Sequence, residues 1–165
     1  MSAPPRLLIL WHSRTGGSRQ MAQACARGAR AHEVRVQRLA AARATPADML
    51  SAQCLILVAP ENLASLSGPM KDLLDRIYYP LLGQRPGLPY AALICAGSDG
   101  LGAVRQLQRI AQGLRWKAVC EPLIVCTQAQ TPAQILADKQ IGADDLARCE
   151  EIGATLAAGL ALGIW

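Results

Sequence analysis

HSRTGGS, residues 12–18, follows directly on the apolar run Leu7-Leu8-Ile9-Leu10-Trp11, and residues 19–28 after it read as a helix. A loop of three hydroxyls, one Arg and two glycines between a buried strand and a helix is built to receive an anion. The glycines let the backbone approach closely and adopt positive φ. Successive N–H groups then wrap the anion at the helix N-terminus, where the dipole favours negative charge. The hydroxyls of Ser13, Thr15 and Ser18 add donors without adding charge. The loop lacks GxxxxGK and GxGxxG, so neither a nucleoside triphosphate nor a dinucleotide pyrophosphate is its expected occupant. A terminal monophosphate suits it better. The competing reading is a Ser/Thr helix cap with glycines for a tight turn.

Outward from this loop, strand and helix patterns alternate to the end of the chain. Residues 6–11, 54–59 and 90–96 are uniformly apolar, as in strands buried on both faces. Residues 33–38 alternate apolar with charged, which places that strand nearer a sheet edge. Residues 118–125 read as a strand interrupted by Pro122, a sign of an edge or a bulge. Helices are expected over 17–30, 46–51 (capped by Thr45, with Pro46 first and Asp48 third), 70–78, 101–114 and 144–162. Residues 60–67 read as a loop. The Pro- and Gly-rich residues 80–89 read as irregular, and 127–142 as a long excursion with one helical turn after Pro132. Five strands alternating with helices call for a parallel sheet covered on both faces. Right-handed crossovers and this length favour the strand order 2-1-3-4-5, with the ligand at the carboxyl ends of strands 1 and 3. The loops there are 12–18, 60–68 and 96–100.

The totals narrow the function. At 165 residues the chain is expected to form one domain, 1–165, and with 52% apolar residues it can bury a sizeable core. No apolar run approaches the roughly 18 residues of a membrane span. No signal peptide is read at the N-terminus, so a cytoplasmic location is expected. Six cysteines without a CxxC pair read as small buried thiols rather than disulfide or metal partners. A net charge of +5 without Lys/Arg runs or interleaved aromatics argues against nucleic acid and for a small anionic ligand. No Ser/His/Asp set, carboxylate pair or metal-ligand cluster stands at catalytic spacing.

Ser13-x-Thr15-Gly16-x-Ser18 resembles the [T/S]-x-T-G-x-[T/S] phosphate loop of flavodoxins and flavodoxin-like reductases. Ala59-Pro60-Glu61-Asn62, followed by Ser67-Gly68-Pro69-Met70-Lys71-Asp72-Leu73-Leu74-Asp75-Arg76, resembles the matching stretch of NAD(P)H-dependent FMN reductases and flavodoxin-like quinone reductases. Ala96-Gly97-Ser98-Asp99-Gly100 agrees with their flavin-edge loop in position and composition. The resemblance covers nearly the whole chain. It implies a flavodoxin-like three-layer α/β/α fold with a five-stranded parallel sheet in the order 2-1-3-4-5.

The resemblance also implies FMN as cofactor, NADH or NADPH as electron donor, and a small-molecule acceptor such as FMN or a quinone. Ser13, Arg14, Thr15, Gly16, Gly17 and Ser18 would hold the phosphate. Pro60, Glu61, Asn62 and Leu63 would line one side of the isoalloxazine. Gly97, Ser98, Asp99 and Gly100 would offer N–H groups to its pyrimidine edge. No catalytic side chain is expected, because the flavin carries the chemistry. Relatives place an aromatic in the loop after strand 3. Here Leu63 and Leu66 stand there and the chain has no Phe, so stacking would be weaker or come from Trp11, Tyr78, Tyr79 or a partner subunit, unless Trp11 is a core residue and Tyr78-Tyr79 a helix end packed on the Pro-rich loop. His12 could reach the phosphate or a ribityl hydroxyl, or be an ordinary loop histidine. Arg14 or Lys71 could meet an extra phosphate or stay solvated. Homo-oligomers are common in such reductases, and residues 156–165 serve either such a contact or the last core helix. Two other readings remain beside the reductase: a one-electron carrier without catalysis, and a flavodoxin fold that has lost its flavin.

Overall fold

The computed structural model describes residues 3–165. Strand β1 (Arg6–Trp11) pairs in parallel with β2 (Arg35–Ala40) on one side and β3 (Cys54–Asn62) on the other. Strand β3 pairs in parallel with β5 (Pro89–Ala96). Two short segments, β6 (Lys117–Ala118) and β7 (Leu123–Cys126), lie beside β5 and share its far edge. Together they are one interrupted outer strand, so the expected order 2-1-3-4-5 holds. The interruption includes Pro122, which has no N–H to give a ladder.

Alternate residues of each strand point to opposite faces. Leu7 and Ile9, with Cys54, Ile56, Val58, Leu93 and Cys95, pack under helices α1 (Gly17–Ala29) and α6 (Ala143–Ala161). Leu8, Leu10, Leu55, Leu57 and Ile94 pack under α2 (Pro46–Ser51), α3 (Gly68–Leu81) and α4 (Leu101–Gly113). Each fully buried Leu or Ile contributes about 1.5–3 kcal/mol, so both layers are held chiefly by the sheet's apolar faces. Helices α1 and α6 touch backbone to backbone. A Cβ on Gly28 would run into the Glu150 carbonyl, and one on Gly153 into the Cys25 carbonyl.

Local expectations fared unevenly. Thr45 caps α2 in a full capping box with Asp48, and α5 (Pro132–Leu136) is the turn expected after Pro132. Residues 60–67 are not a plain loop. Strand β3 runs on to Asn62 and turns back through β4 (Ser65–Leu66), which pairs antiparallel with it. The turn stands on Leu63 and Ala64 at φ 51° and 60°, a region that usually calls for Gly or Asn. Helix α3 extends through Pro80 to Leu81. Pro80 has no N–H to give the Arg76 carbonyl, and the helix ends one residue after it.

Candidate functional site

The carboxyl ends of β1, β3 and β5 carry the three loops expected to meet a ligand. The first is tied from within and from across. Gly16 takes φ 91° as the N-cap of α1, a conformation that glycine adopts without strain. Its N–H donates to Ser13 Oγ at 3.0 Å, leaving the Ser13 hydroxyl proton free to donate outward. Helix α1 has no side-chain cap and no acidic residue in its first turn, so its leading N–H groups are open to an anion. Gly17 is buried against β5, where an added Cβ would stand 2.6 Å from Cys95 Sγ. Ser18 is buried too, and its Oγ has no close hydrogen-bond partner, with only the Cys95 thiol beside it. Burial pushes the Cys95 thiol up to about 11, so it stays neutral beneath the loop.

The segment before α6 forms a wall over this loop. Lys139 N donates to Thr15 O at 2.8 Å. Gln20 is the strut between them. Its Nε2 donates to Gly16 O at 3.1 Å and Lys139 O at 2.7 Å, while its Oε1 accepts from Ile141 N at 3.1 Å. Between loop and wall lies a cavity of about 310 Å³, with Trp11, Arg14, Arg19 and Asp138 also on its lining. Arg14 and Arg19 enter no ion pair among the described residues, which leaves the cavity mouth positive.

His12 joins the first loop to the second. Its Nδ1 lies 2.8 Å from Ser67 Oγ, and Ser67, at the N-cap of α3, is fully buried. The hydroxyl thus serves His12 rather than capping α3. Burial, and then the Arg14 charge, hold the His12 imidazole below its ordinary range, so it is neutral at pH 7. In the second loop Pro60 O accepts from Ser67 N at 3.2 Å, Asn62 is exposed, and Leu63 stands wholly in solvent at the hairpin tip. Glu61 turns away to the third loop. Its Oε1 accepts from Gly100 N at 2.9 Å and its Oε2 from Ala103 N at 3.1 Å. There, Gly97 is half-buried and Ser98 and Asp99 are exposed.

A family profile described as NADPH-dependent FMN reductase matches residues 32–130, more than half of the chain. The chain belongs to the NADPH-dependent FMN reductase family. The matched stretch includes the second and third loops. The first lies outside it and rests on its own geometry. A flavodoxin of Aquifex aeolicus (strain VF5) is 33% identical over 100 residues, 59% of this chain and 53% of that protein, so the match spans about half the length of this curated relative. Two solved structures share the fold. Oxidised flavodoxin 1 from Bacillus cereus superposes with a TM-score of 0.75 at 21% identity, over 93% of this chain and 97% of that one. The flavodoxin-fold WrbA-like protein from Agrobacterium tumefaciens does so with a TM-score of 0.70 at 19% identity, over 96% and 98%.

In this member of the FMN reductase family, Ser13, Arg14, Thr15, Gly16, Gly17 and Ser18 form one loop on α1, as the sequence expects. Two expectations change. The Glu61 carboxylate is engaged by α4 and is not free to face a ring. The Gly100 N–H is taken by Glu61 and is not free for a flavin edge. Tyr78 and Tyr79 lie near the end of α3, which runs back to the amino end of β5 at the opposite edge of the sheet. They cannot stack on a ligand at the carboxyl edge. Trp11 does line the cavity. Sequence reasoning also missed Gln20, Ser67 and Gln106, whose Oε1 accepts from Leu66 N at 2.7 Å. One signal was available for Glu61: Gly100 at the N-cap of α4 has no side chain, and the first turn of the helix holds no acidic residue.

Proposed function

We propose that residues 1–165 are one flavodoxin-like domain that binds FMN noncovalently and works as an NAD(P)H-dependent reductase of FMN, a quinone or a similar small acceptor. The observation that carries the reading is the N-terminus of α1. It has no side-chain cap, it opens on a left-handed Gly16, and its buried Ser18 hydroxyl has only the neutral Cys95 thiol beside it. A phosphate suits that donor set, because its several oxygens can accept from amides and hydroxyls at once. Family membership supports the choice of FMN and of NADPH as donor.

Ser13, Thr15, Gly17 and Ser18 hold the phosphate through hydroxyls and amides, and Arg14 adds charge at the mouth. Pro60, Asn62 and Leu63 line one side of the ring system, and the amides of Gly97, Ser98 and Asp99 face its pyrimidine edge. Bound FMN supplies hydride and electron transfer, so no protein nucleophile is required. His12, neutral and held by Ser67, keeps the first and second loops in register. The positive mouth favours an anionic pyridine nucleotide over a basic protein partner. The working location is the cytoplasm, and a homo-oligomer would complete the exposed rim at Leu63.

The test is a visible spectrum of the protein with FMN, then with NADPH or NADH in the absence of oxygen. Flavin bands that shift on binding and bleach with nucleotide support the reductase. Bound flavin that ignores both nucleotides favours an electron carrier. Absence of FMN binding refutes the cofactor assignment and leaves the fold standing.

A further inference from the structure

The loop after β5 is fixed by a residue from the neighbouring strand. Helix α4 has four N–H groups without helical partners at its start, and its own lead-in answers only one of them, Leu101 N, which donates to Asp99 Oδ1 at 3.3 Å. Glu61 fills the gap with both carboxylate oxygens, on Gly100 N and Ala103 N. A carboxylate here answers two orphan donors and the positive end of the helix dipole together. The hairpin that carries Glu61 is locked to the same helix. Gln106 accepts from Leu66 N, and Gly102 lacks the Cβ that would run into the Ala64 carbonyl. On the other flank, Gln128 N donates to Gly97 O at 2.7 Å and Thr127 N to Ala96 O at 2.9 Å. A Cβ on Gly100 would meet Ile124 at 2.6 Å.

The 97–100 loop therefore has a set shape, and a negative charge is fixed directly behind it. Asp99, the other carboxylate of the loop, accepts from Leu101 N through one oxygen but is exposed, so solvent and salt screen it. Glu61 is half-buried and pinned at both oxygens. Reduced flavin carries more negative charge at its pyrimidine edge than oxidised flavin, so a fixed carboxylate opposes reduction and a fixed amide favours it. Glu61 acts in both ways: it adds the charge and withdraws the Gly100 amide.

Given the FMN-binding reading above, on which this rests, we infer that Glu61 is the positioning residue of the 97–100 loop, and that its carboxylate, fixed on the Gly100 and Ala103 amides, lowers the site's preference for reduced over oxidised FMN.

The test compares wild type with Glu61→Gln, Glu61→Asp and, as a control for net charge, Glu33→Gln, an exposed carboxylate just before the amino end of β2. Three quantities are read: the Kd of oxidised FMN, the midpoint potential of the complex, and hydrogen exchange of the Gly100 and Ala103 amides without FMN. Glu61→Gln should raise the ratio of oxidised to reduced Kd by about tenfold, equivalent to about 30 mV for two electrons. Glu33→Gln should leave it unchanged. Glu61→Asp keeps the charge but is one methylene short. It should speed exchange at both amides and weaken both oxidation states about tenfold, with the ratio held. A Glu61→Gln ratio within about threefold of wild type, or an equal shift in Glu33→Gln, overturns the inference. If Glu61→Gln does not fold, Glu61→Asp decides: unmoved amide exchange and unmoved Kd also overturn it. A wild-type protein that binds no FMN sinks the cofactor assignment and this inference with it, whereas tight binding with an unmoved ratio sinks this inference alone.

Discussion

Gly17→Ala puts the packing of the phosphate loop to a quantitative test. Gly17 opens α1 and sits on β5. A Cβ there would stand 2.6 Å from Cys95 Sγ, 3.4 Å from Ile141 Cδ1 and 3.5 Å from Lys139 Cβ. Non-bonded heavy atoms rest at about 3.5–4.0 Å, so roughly 1 Å must be found. The Cys95 backbone is held on β5 between β3 and β7 and its thiol is packed in the core, so relief falls chiefly on the helix start. Overpacking of this kind costs about 1–3 kcal/mol, and Ala returns about 0.5–1 kcal/mol through its better helix propensity. The net expectation is about 1–2 kcal/mol of lost stability, read by urea titration with unchanged m. FMN should bind about tenfold more weakly, because the amides that meet the phosphate shift with the helix. Cys95→Ala alone should cost about 1 kcal/mol in lost burial. In the double variant the new methyl occupies the space that the sulfur vacates. The two effects should then fall short of their sum by at least about 1 kcal/mol, with FMN affinity restored. Additivity within about 0.3 kcal/mol would refute the contact as the reason for glycine here.

Three further outcomes are expected. Gly28→Ala and Gly153→Ala each drive a methyl into a backbone carbonyl of the facing helix, and each should cost about 3 kcal/mol or more in urea titrations, with no side chain able to yield. Replacing Leu63-Ala64 by Asn-Gly relieves two positive-φ residues and should stabilise the protein without FMN by about 0.5–1 kcal/mol per residue, seen as a raised Tm. The His12 imidazole titrates below its unfolded range, through burial first and Arg14 second. Its contribution to stability is therefore complete above the unfolded value of about 6.5 and is lost as pH falls through the folded value. Denaturation midpoints should show a downward slope from pH 7 to pH 5 that is shallower in His12→Gln.

The fold was legible because its main signals are periodic and local. Uniform apolar runs marked β1, β3 and β5 as doubly covered, and their alternation with amphipathic helices left little choice of winding. Pro122 announced the break in the outer strand. Thr45, Pro46 and Asp48 announced the start of α2. What the sequence concealed depends on contacts between distant residues. The hairpin at 61–66 was hidden because Leu63 and Ala64 stand where a turn usually shows Asn or Gly. Glu61 read as a ligand-facing residue because nothing near it in sequence shows that the Gly100 and Ala103 amides of α4, about 40 residues on, need an acceptor. Gln20 read as one more polar residue of α1, although it joins the loop at 16 to the wall at 139–141. The turn from β1 into α1 was legible throughout, since its six residues, Ser13 to Ser18, are consecutive.

The central claim is that the loop from Ser13 to Ser18 grips a phosphate. The most direct measurement is the affinity of the protein for FMN against riboflavin, which differ only in that group, by quenching of flavin fluorescence. Charge-assisted hydrogen bonds contribute about 1.5–3 kcal/mol each, so FMN should bind at least about 100-fold more tightly than riboflavin. Equal affinities, or binding of neither, would contradict the account.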